Sequence, residues 1–487
     1  MSFLPVLLWS DLLIWLLALA CLAIAWLLRD NPLQRVAWRR VGESRRGMAS
    51  VVILLAFASV GLADSLHYRP ALPAPAGQPS PGYSVQVFSL LDNLLTHLRQ
   101  RNEKTYSAPL AAHQASKETL ILPNGVEARV NPRLKYGAAH LGKDAKAAER
   151  KVDILTRLFW SIILSLCLAL LVAVLTTVTL TLTSTRRSDN SPRKLDGQLF
   201  QRRFVILWRR IWRGRTGFAW NAVLISTALL IFIAVPLAVL SQHYHVFGTD
   251  KVGQDVLYQV LKSVRTALLI GLLTTLLMLP LGIIFGILSG YLRGWVDDVI
   301  QYIYTVINSI PGVLLIAAAI LMMQVLIDTN PQWFATAAER ADARLLALCF
   351  ILGLTTWTGL ARLLRGEALK LATLEYVQAA ESFLVPKRRI VARHILPNVM
   401  HIVIIALVMD FSGLVLAEAV LSYIGIGVDP SMQSFGMMIN NARMELSRDP
   451  PVWWSLLAAF AFMFTLVLAA NVLADVVRDS FDPRLAP

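Results

Sequence analysis

The chain has 487 residues, of which 56% are hydrophobic and only 16% charged, well below the roughly 25% charged residues typical of soluble domains. Its apolar residues stand in long blocks, which excludes a soluble enzyme, a disulfide-stapled secreted domain and a disordered tail. What remains is an all-α polytopic membrane protein. The net charge of +15 would suit a nucleic-acid binder, but its distribution points to topology and membrane lipid, with no nucleic acid as partner.

A span needs about 20 mostly apolar residues, and nine stretches qualify. The first, at approximately 4–28, has no Lys or Arg before it, which reads as an ordinary span and not as a signal peptide. The loop 29–47 carries Arg29, Arg35, Arg39, Arg40, Arg45 and Arg46 and is expected to be cytoplasmic. The second span, 48–65, leads into an external segment at about 66–155. That segment opens with Pro70, Pro73, Pro75, Gly77, Pro79, Pro81 and Gly82. A third span at 156–183 closes an N-terminal extension, residues 1–185.

A basic cytoplasmic linker, 186–215, includes Arg202, Arg203, Arg209 and Arg210. Six spans with short loops then fill 216–487, at approximately 219–241, 264–291, 299–327, 344–364, 399–426 and 453–475. Counting through puts the N-terminus in the periplasm and the C-terminus in the cytoplasm. Cys21, Cys167 and Cys349 all lie in apolar runs and read as small core hydrophobes.

Gly137 to Lys143 fits the G-x-x-x-x-G-K half of a phosphate-binding loop, but Asp144 follows where a Ser or Thr should hold magnesium. The fit is coincidental, and this chain is not expected to hydrolyse ATP. Gly282, Gly286, Gly290 and Gly294 form a ladder at spacing four, which lets another backbone approach closely. Packing within the chain is the simpler reading, packing against a partner subunit the other. Segment 375–398 is expected to be cytoplasmic. It places small residues Ala379 and Ala380 on one helix, then a turn at Val385-Pro386, then Lys387, Arg388, Arg389 and Arg393, and Pro397 before the next span. Physically it is a short helical hairpin exposed for docking, or equally an interfacial helix held to anionic lipid.

Segment 375–398 resembles the EAA loop of ABC-importer permeases, and more closely that of the dipeptide/oligopeptide permeases of the C type. Glu375-Tyr376-Val-Gln-Ala379-Ala380 and Arg393-His394-Ile-Leu396-Pro397-Asn398 carry the likeness. Three further stretches are similar to motifs of that binding-protein-dependent transport permease family. They are Gly248-Thr249-Asp250-Lys-Val-Gly253-Gln254-Asp255, Glu418-Ala-Val-Leu421-Ser422-Tyr-Ile-Gly425-Ile-Gly427, and Arg478-Asp479-Ser-Phe-Asp482-Pro483-Arg484. Three positions depart from the pattern: Leu384 stands at the loop's glycine, Gln254 at an arginine and Phe435 at a tryptophan. The turn at Leu384 is therefore expected to be made differently, through Pro386.

The resemblance implies a six-helix type I permease core preceded by three extra transmembrane helices with an external insert, in the bacterial inner membrane. It implies a peptide pathway shared with a second permease subunit, an external substrate-binding protein, and two ABC ATPase subunits that hold the ATP and magnesium. No cofactor is expected on this chain. Carried over by position, Glu375, Tyr376, Ala379, Ala380, Leu384, Ile390, Leu396 and Pro397 would dock on an ATPase. Gly248, Thr249, Asp250, Gly253 and Asp255 would form the external motif. Asp410 and Glu418, ionisable groups at membrane depth, are candidates for the pathway or its gate. An enzyme would need a nucleophile with its base, or metal ligands at helical spacing, and the sequence offers no such pattern. An ion-coupled secondary transporter of small solutes is the alternative, but it has no use for a docking hairpin.

Overall fold

The computed structural model describes residues 3–28, 32–71, 83–121, 127–142, 147–188, 197–334 and 336–481. Helices α1 (Trp9–Leu28), α2 (Pro32–Glu43) and α3 (Arg45–Asp64) precede the insert. Within the insert, α4 (Leu90–Leu94) and α5 (Thr96–Arg99) are short, and the long α6 (Ala147–Ser188) leaves it. An amphipathic α7 (Gly197–Trp212) then leads to α8 (Trp220–Ser241), α9 (Val256–Leu292), α10 (Trp295–Ser309), α11 (Gly312–Thr329) and α12 (Ala337–Leu371). The hairpin elements α13 (Glu375–Ser382) and α14 (Lys387–Ile390) are followed by α15 (Leu396–Ile424), α16 (Phe435–Glu445) and α17 (Trp454–Phe481).

Among the described residues, eight helices are long and apolar enough to cross a membrane: α3, α6, α8, α9, α11, α12, the continuous run Lys387–Ile424, and α17. The 20-residue α1 stands at the first predicted span. Two predicted spans are corrected. The run 299–327 is broken at Pro311, which caps α11 while Ile310 is extended. Proline lacks an amide donor and drives the residue before it out of helical geometry. At 4–28 the first residues are strand β1 (Phe3–Val6), which pairs antiparallel with β2 (His67–Pro70); β2 pairs with β3 (Phe88–Ser89). With the hairpin of β4 (Glu118–Ile121) and β5 (Glu127–Val130), the insert departs locally from the all-α expectation. Residues 72–82, which hold most of the Pro/Gly-rich stretch, as well as Lys143, Asp144 and the Asp482-Pro483-Arg484 end of the last motif, lie outside the described residues.

α9 is the central element and packs on α12, α15 and α3. The glycine ladder explains its closest contact. A β-carbon on Gly282 would lie 2.8 Å from Leu360, one on Gly286 2.7 Å from the Ala361 carbonyl, and one on Gly290 2.6 Å from the Arg365 carbonyl. The ladder therefore packs within the chain, against α12, as small residues do at helix crossings. Gly294 lies past the helix end at φ +58 and faces open space. Just beyond, Asp297 receives the Arg365 guanidinium through two hydrogen bonds of 2.7 Å. That fork and the Ser289 hydroxyl hold its carboxyl down at about 2 against a smaller opposing effect of burial. The extension does not sit apart: α3 packs on α17, α8 and α9.

Candidate functional site

The hairpin 375–398 stands at one end of the bundle. Helix α13 keeps Val377 fully buried, and Ile390, Ile395, Val399 and Val403 continue the same apolar seam. The intervals along that seam are five, four and four residues. The five-residue step falls on the π-helical turn Val391–Ile395, whose extra residue keeps Ile390 and Ile395 on one face. Glu375, Tyr376, Ala379, Leu384 and Pro397 are exposed, and Ala380 and Leu396 are half-buried. Ile390 is fully buried, so it anchors the hairpin and presents no side chain to a partner. The Tyr376 hydroxyl accepts a hydrogen bond from Asn398 at 3.0 Å, tying α13 to the start of α15.

The turn after α13 is made at Leu384, not through Pro386. Leu384 adopts φ +58; its amide donates to the Glu381 carbonyl at 2.9 Å and the Val385 amide to the Ala380 carbonyl at 3.1 Å. Those two bonds form a Schellman motif, with a leucine in the left-handed position that glycine usually fills. The apolar contact that accompanies the motif is present too, since Ala380 and Val385 pack on one cluster. Pro386 follows as the cap of α14. The turn leaves Phe383 and Leu384 82% and 89% exposed.

At the opposite end, insert residues 103–107 grip the loop that holds Gly248 to Asp255. Thr249 donates its hydroxyl to the Thr105 carbonyl at 2.9 Å and its amide to the Ser107 carbonyl at 3.1 Å. The Ser107 amide donates back to the Thr249 hydroxyl at 2.7 Å, and the Trp454 indole donates to the Thr249 carbonyl at 3.0 Å. Asp250 shapes the loop by accepting from the Val252 and Gln254 amides and the Gln259 side chain. Asp255 caps α9 through the Leu257 amide at 2.8 Å. Its other carboxylate oxygen lies 2.7 Å from His245 Nδ1, while His245 Nε2 lies 3.3 Å from Glu103.

Burial alone would push the His245 imidazole down, but the two carboxylates outweigh it and hold it up at about 9. Glu103 would be raised by burial, yet His245 and the amides of Lys135, Gly137 and Tyr136 bring it to about 2. The amide of Gly137, first residue of the phosphate-loop lookalike, is thus already taken by Glu103. Sequence reasoning had no handle on this clamp, because Glu103 and His245 stand 142 residues apart.

The two pathway candidates differ. Glu418 is 1% exposed and accepts the Ser422 hydroxyl at 2.6 Å. Gly427 and Gly436 pack against Ser422 so closely that a β-carbon on either would collide with it. This arrangement makes Glu418 part of a packed knot at the end of α15. Asp410 is half-buried on the same helix, eight residues away.

The family described as "Binding-protein-dependent transport system inner membrane component" matches residues 282–487. The oligopeptide transport system permease protein OppC of Escherichia coli K12 is 30% identical over 291 residues, 57% of this chain and 89% of the relative. OppC of Salmonella typhimurium is 32% identical over 240 residues, 49% of this chain and 72% of the relative. The dipeptide transport system permease protein DppC of Bacillus subtilis is 27% identical over 241 residues, 50% and 69% respectively. The family match takes in the glycine ladder, the hairpin 375–398 and the last span, and the chain belongs to the family of binding-protein-dependent transport system inner membrane components, on the branch that holds the OppC and DppC permeases.

Proposed function

We propose that the chain is a permease subunit of an ATP-driven importer. With a second permease it forms the path for di- or oligopeptides, or peptide-like compounds, across the bacterial inner membrane by alternating access. The relatives' names supply the substrate class. The observation that carries the mechanism is the hairpin 375–398: an exposed face of Glu375, Tyr376, Ala379 and Leu384 over a fully buried seam. A rigidly seated hairpin joined directly to α12 and α15 passes a push on its outer face into both spans.

The basic segments 29–47 and 184–215 support an orientation with the hairpin and C-terminus cytoplasmic and the insert periplasmic. On this reading residues 1–185 form an extension, 186–215 a linker and 216–487 the permease domain. Two ATPase subunits carry the ATP and magnesium, and an external binding protein delivers cargo. The test is affinity purification of the tagged chain in mild detergent with partners identified by mass spectrometry. A second permease and ATPase subunits are expected. Recovery of the chain alone, under conditions where assembled importers survive, overturns the reading. Ala380→Arg is expected to uncouple transport by overfilling the docking face, and retained substrate-stimulated ATP turnover in the mutant complex argues against docking there.

A further inference from the structure

Helix α7 stands outside the family match, between spans α6 and α8. Its inner face is settled. Ile211 is fully buried, and Leu207 and Trp208 pack with it beside Ala173 of α6 and Leu224 of α8. The outer face carries charge. Arg202, Arg209 and Arg213 follow at intervals of seven and four residues, which puts them on one side of the helix. All three are exposed, and none has an ion pair among the described residues.

The surroundings do not neutralise them. The spans against which α7 packs supply no acid: α8 has none, and α6 has none from Trp160 to Ser188. A β-carbon on Gly214 would stand 2.7 Å from the Arg45 guanidinium, so the neighbouring segment adds a further cation. Glu43, the one acid of α2, receives Arg39 at 3.0 Å. Over 184–215 the sequence has ten Lys and Arg against two acids, Asp189 and Asp196, both outside the described residues.

Apolar space lies beside this charge. A groove of about 190 Å³ between α6 and α7 is lined by Val174, Phe204, Val205, Trp208 and Arg209. Val174 belongs to a membrane span whose flank at Leu171 and Leu175 is exposed. The groove therefore joins lipid-facing apolar surface to a guanidinium. Phe204, Trp208 and Trp212 repeat every four residues with ring centroids 6.1 and 6.0 Å apart, and tryptophan settles at the headgroup level of a bilayer. Arginine's planar fork matches a phosphate with two parallel hydrogen bonds. An acidic protein surface would answer the charges but leave the groove unfilled, whereas an anionic phospholipid answers both.

We propose that α7 holds an anionic phospholipid of the cytoplasmic leaflet. Its phosphodiester sits on Arg209 with Arg202 and Arg213 beside it, and one acyl chain lies in the groove between α6 and α7. The leaflet rests on the orientation of the importer reading; the site itself goes beyond that reading.

The test uses the full chain in mild detergent, titrated with dioleoyl phosphatidylglycerol and with dioleoyl phosphatidylcholine and read by native mass spectrometry. The anionic lipid is expected to bind at least tenfold more tightly. The triple variant Arg202→Gln, Arg209→Gln, Arg213→Gln is expected to abolish that preference. Val174→Trp fills the groove without touching a charge and is expected to weaken the anionic lipid at least threefold, while Leu171→Trp, outside the groove, leaves it unchanged. Equal affinity for the two lipids, or a preference that survives the triple variant, overturns the proposal. So does indifference to Val174→Trp in a folded protein. Displacement of the lipid by millimolar glycerophosphoglycerol, the headgroup without chains, shows a free-phosphodiester site and overturns the lipid assignment. Loss of co-purifying ATPase from the triple variant with lipid preference intact assigns the arginines to a protein partner and overturns it as well. Peptide uptake by the assembled importer is measured alongside. Uptake without lipid preference removes this site alone, and lipid preference without uptake removes the importer reading alone.

Discussion

The backbone amide of Glu103 donates to the carbonyl of Gly253 at 2.9 Å, and a β-carbon on Gly253 would stand 1.9 Å from the Glu103 carbonyl oxygen. Two stretches 150 residues apart in sequence are thus locked main chain to main chain. Gly253 also sits at φ +76, where any side chain is strained. Gly253→Ala is expected to destabilise by more than about 2 kcal/mol, combining that strain with an overpacked contact that backbone cannot yield to. Thermal unfolding and proteolysis of the insert both read it; an unchanged melt together with an unchanged cleavage rate contradicts the clamp.

His245 gives the same clamp a pH signature. Its pKa is raised from 6.5 to about 9, so its contribution is complete below 6.5 and is lost as pH climbs through about 9. Glu103 is lowered from 4.5 to about 2, so its contribution is complete above 4.5 and is lost as pH falls through about 2. Between pH 4.5 and 6.5 both are in full force. His245→Gln, which leaves two buried carboxylates without their cation, is expected to cost about 3–5 kcal/mol there. The gap between wild type and mutant should narrow as pH passes 9. A gap independent of pH from 6 to 10 shows that the imidazole is not charged in the folded chain.

Leu384 holds the turn of the hairpin at a conformational cost of about 1–2 kcal/mol for a non-glycine residue. Leu384→Gly removes that strain but adds backbone freedom to the unfolded chain, at about 0.5–1 kcal/mol. The net expectation is a gain of about 0.5–1 kcal/mol in local stability, read as slower amide exchange at Val385. Faster exchange in the glycine variant shows that the leucine side chain stabilises the turn.

The helix crossing makes a paired prediction. Gly290→Ala brings a methyl to 2.6 Å from the Arg365 carbonyl and is expected to cost about 1–3 kcal/mol. Gly359→Ala, on α12 with nothing within 4 Å, is expected to be neutral or stabilising by up to about 1 kcal/mol. Equal melting shifts for the two would mean that α9 and α12 do not meet as described.

The spans were legible because burial in lipid writes itself as long apolar blocks, and α8, α9, α12, α15 and α17 fall on their expected stretches. The break before α11 was missed by length alone, although Pro311 carried the signal within the sequence. Strand β1 was illegible for another reason. Its partner Pro70 is 67 residues away, and four residues with no local turn say nothing about whom they pair with. The docking face was read from small residues and spacing, whereas the burial of Ile390 depends on a π turn that no residue type announces. Leu384 shows the reverse case: there the pattern of main-chain bonds, not the residue, sets the conformation.

The π turn between α14 and α15 has a rotational meaning. Each residue of an ordinary helix turns its successor by about 100°, so the one additional residue in Val391–Ile395 fixes the angular phase between the basic hairpin and the membrane span. Removing a residue there would leave every side chain chemically intact but swing the exposed face of the hairpin about 100° around the span axis. The orientation in which this chain offers itself to a neighbour is therefore indexed by chain length at one turn, as a gear is indexed by a single tooth.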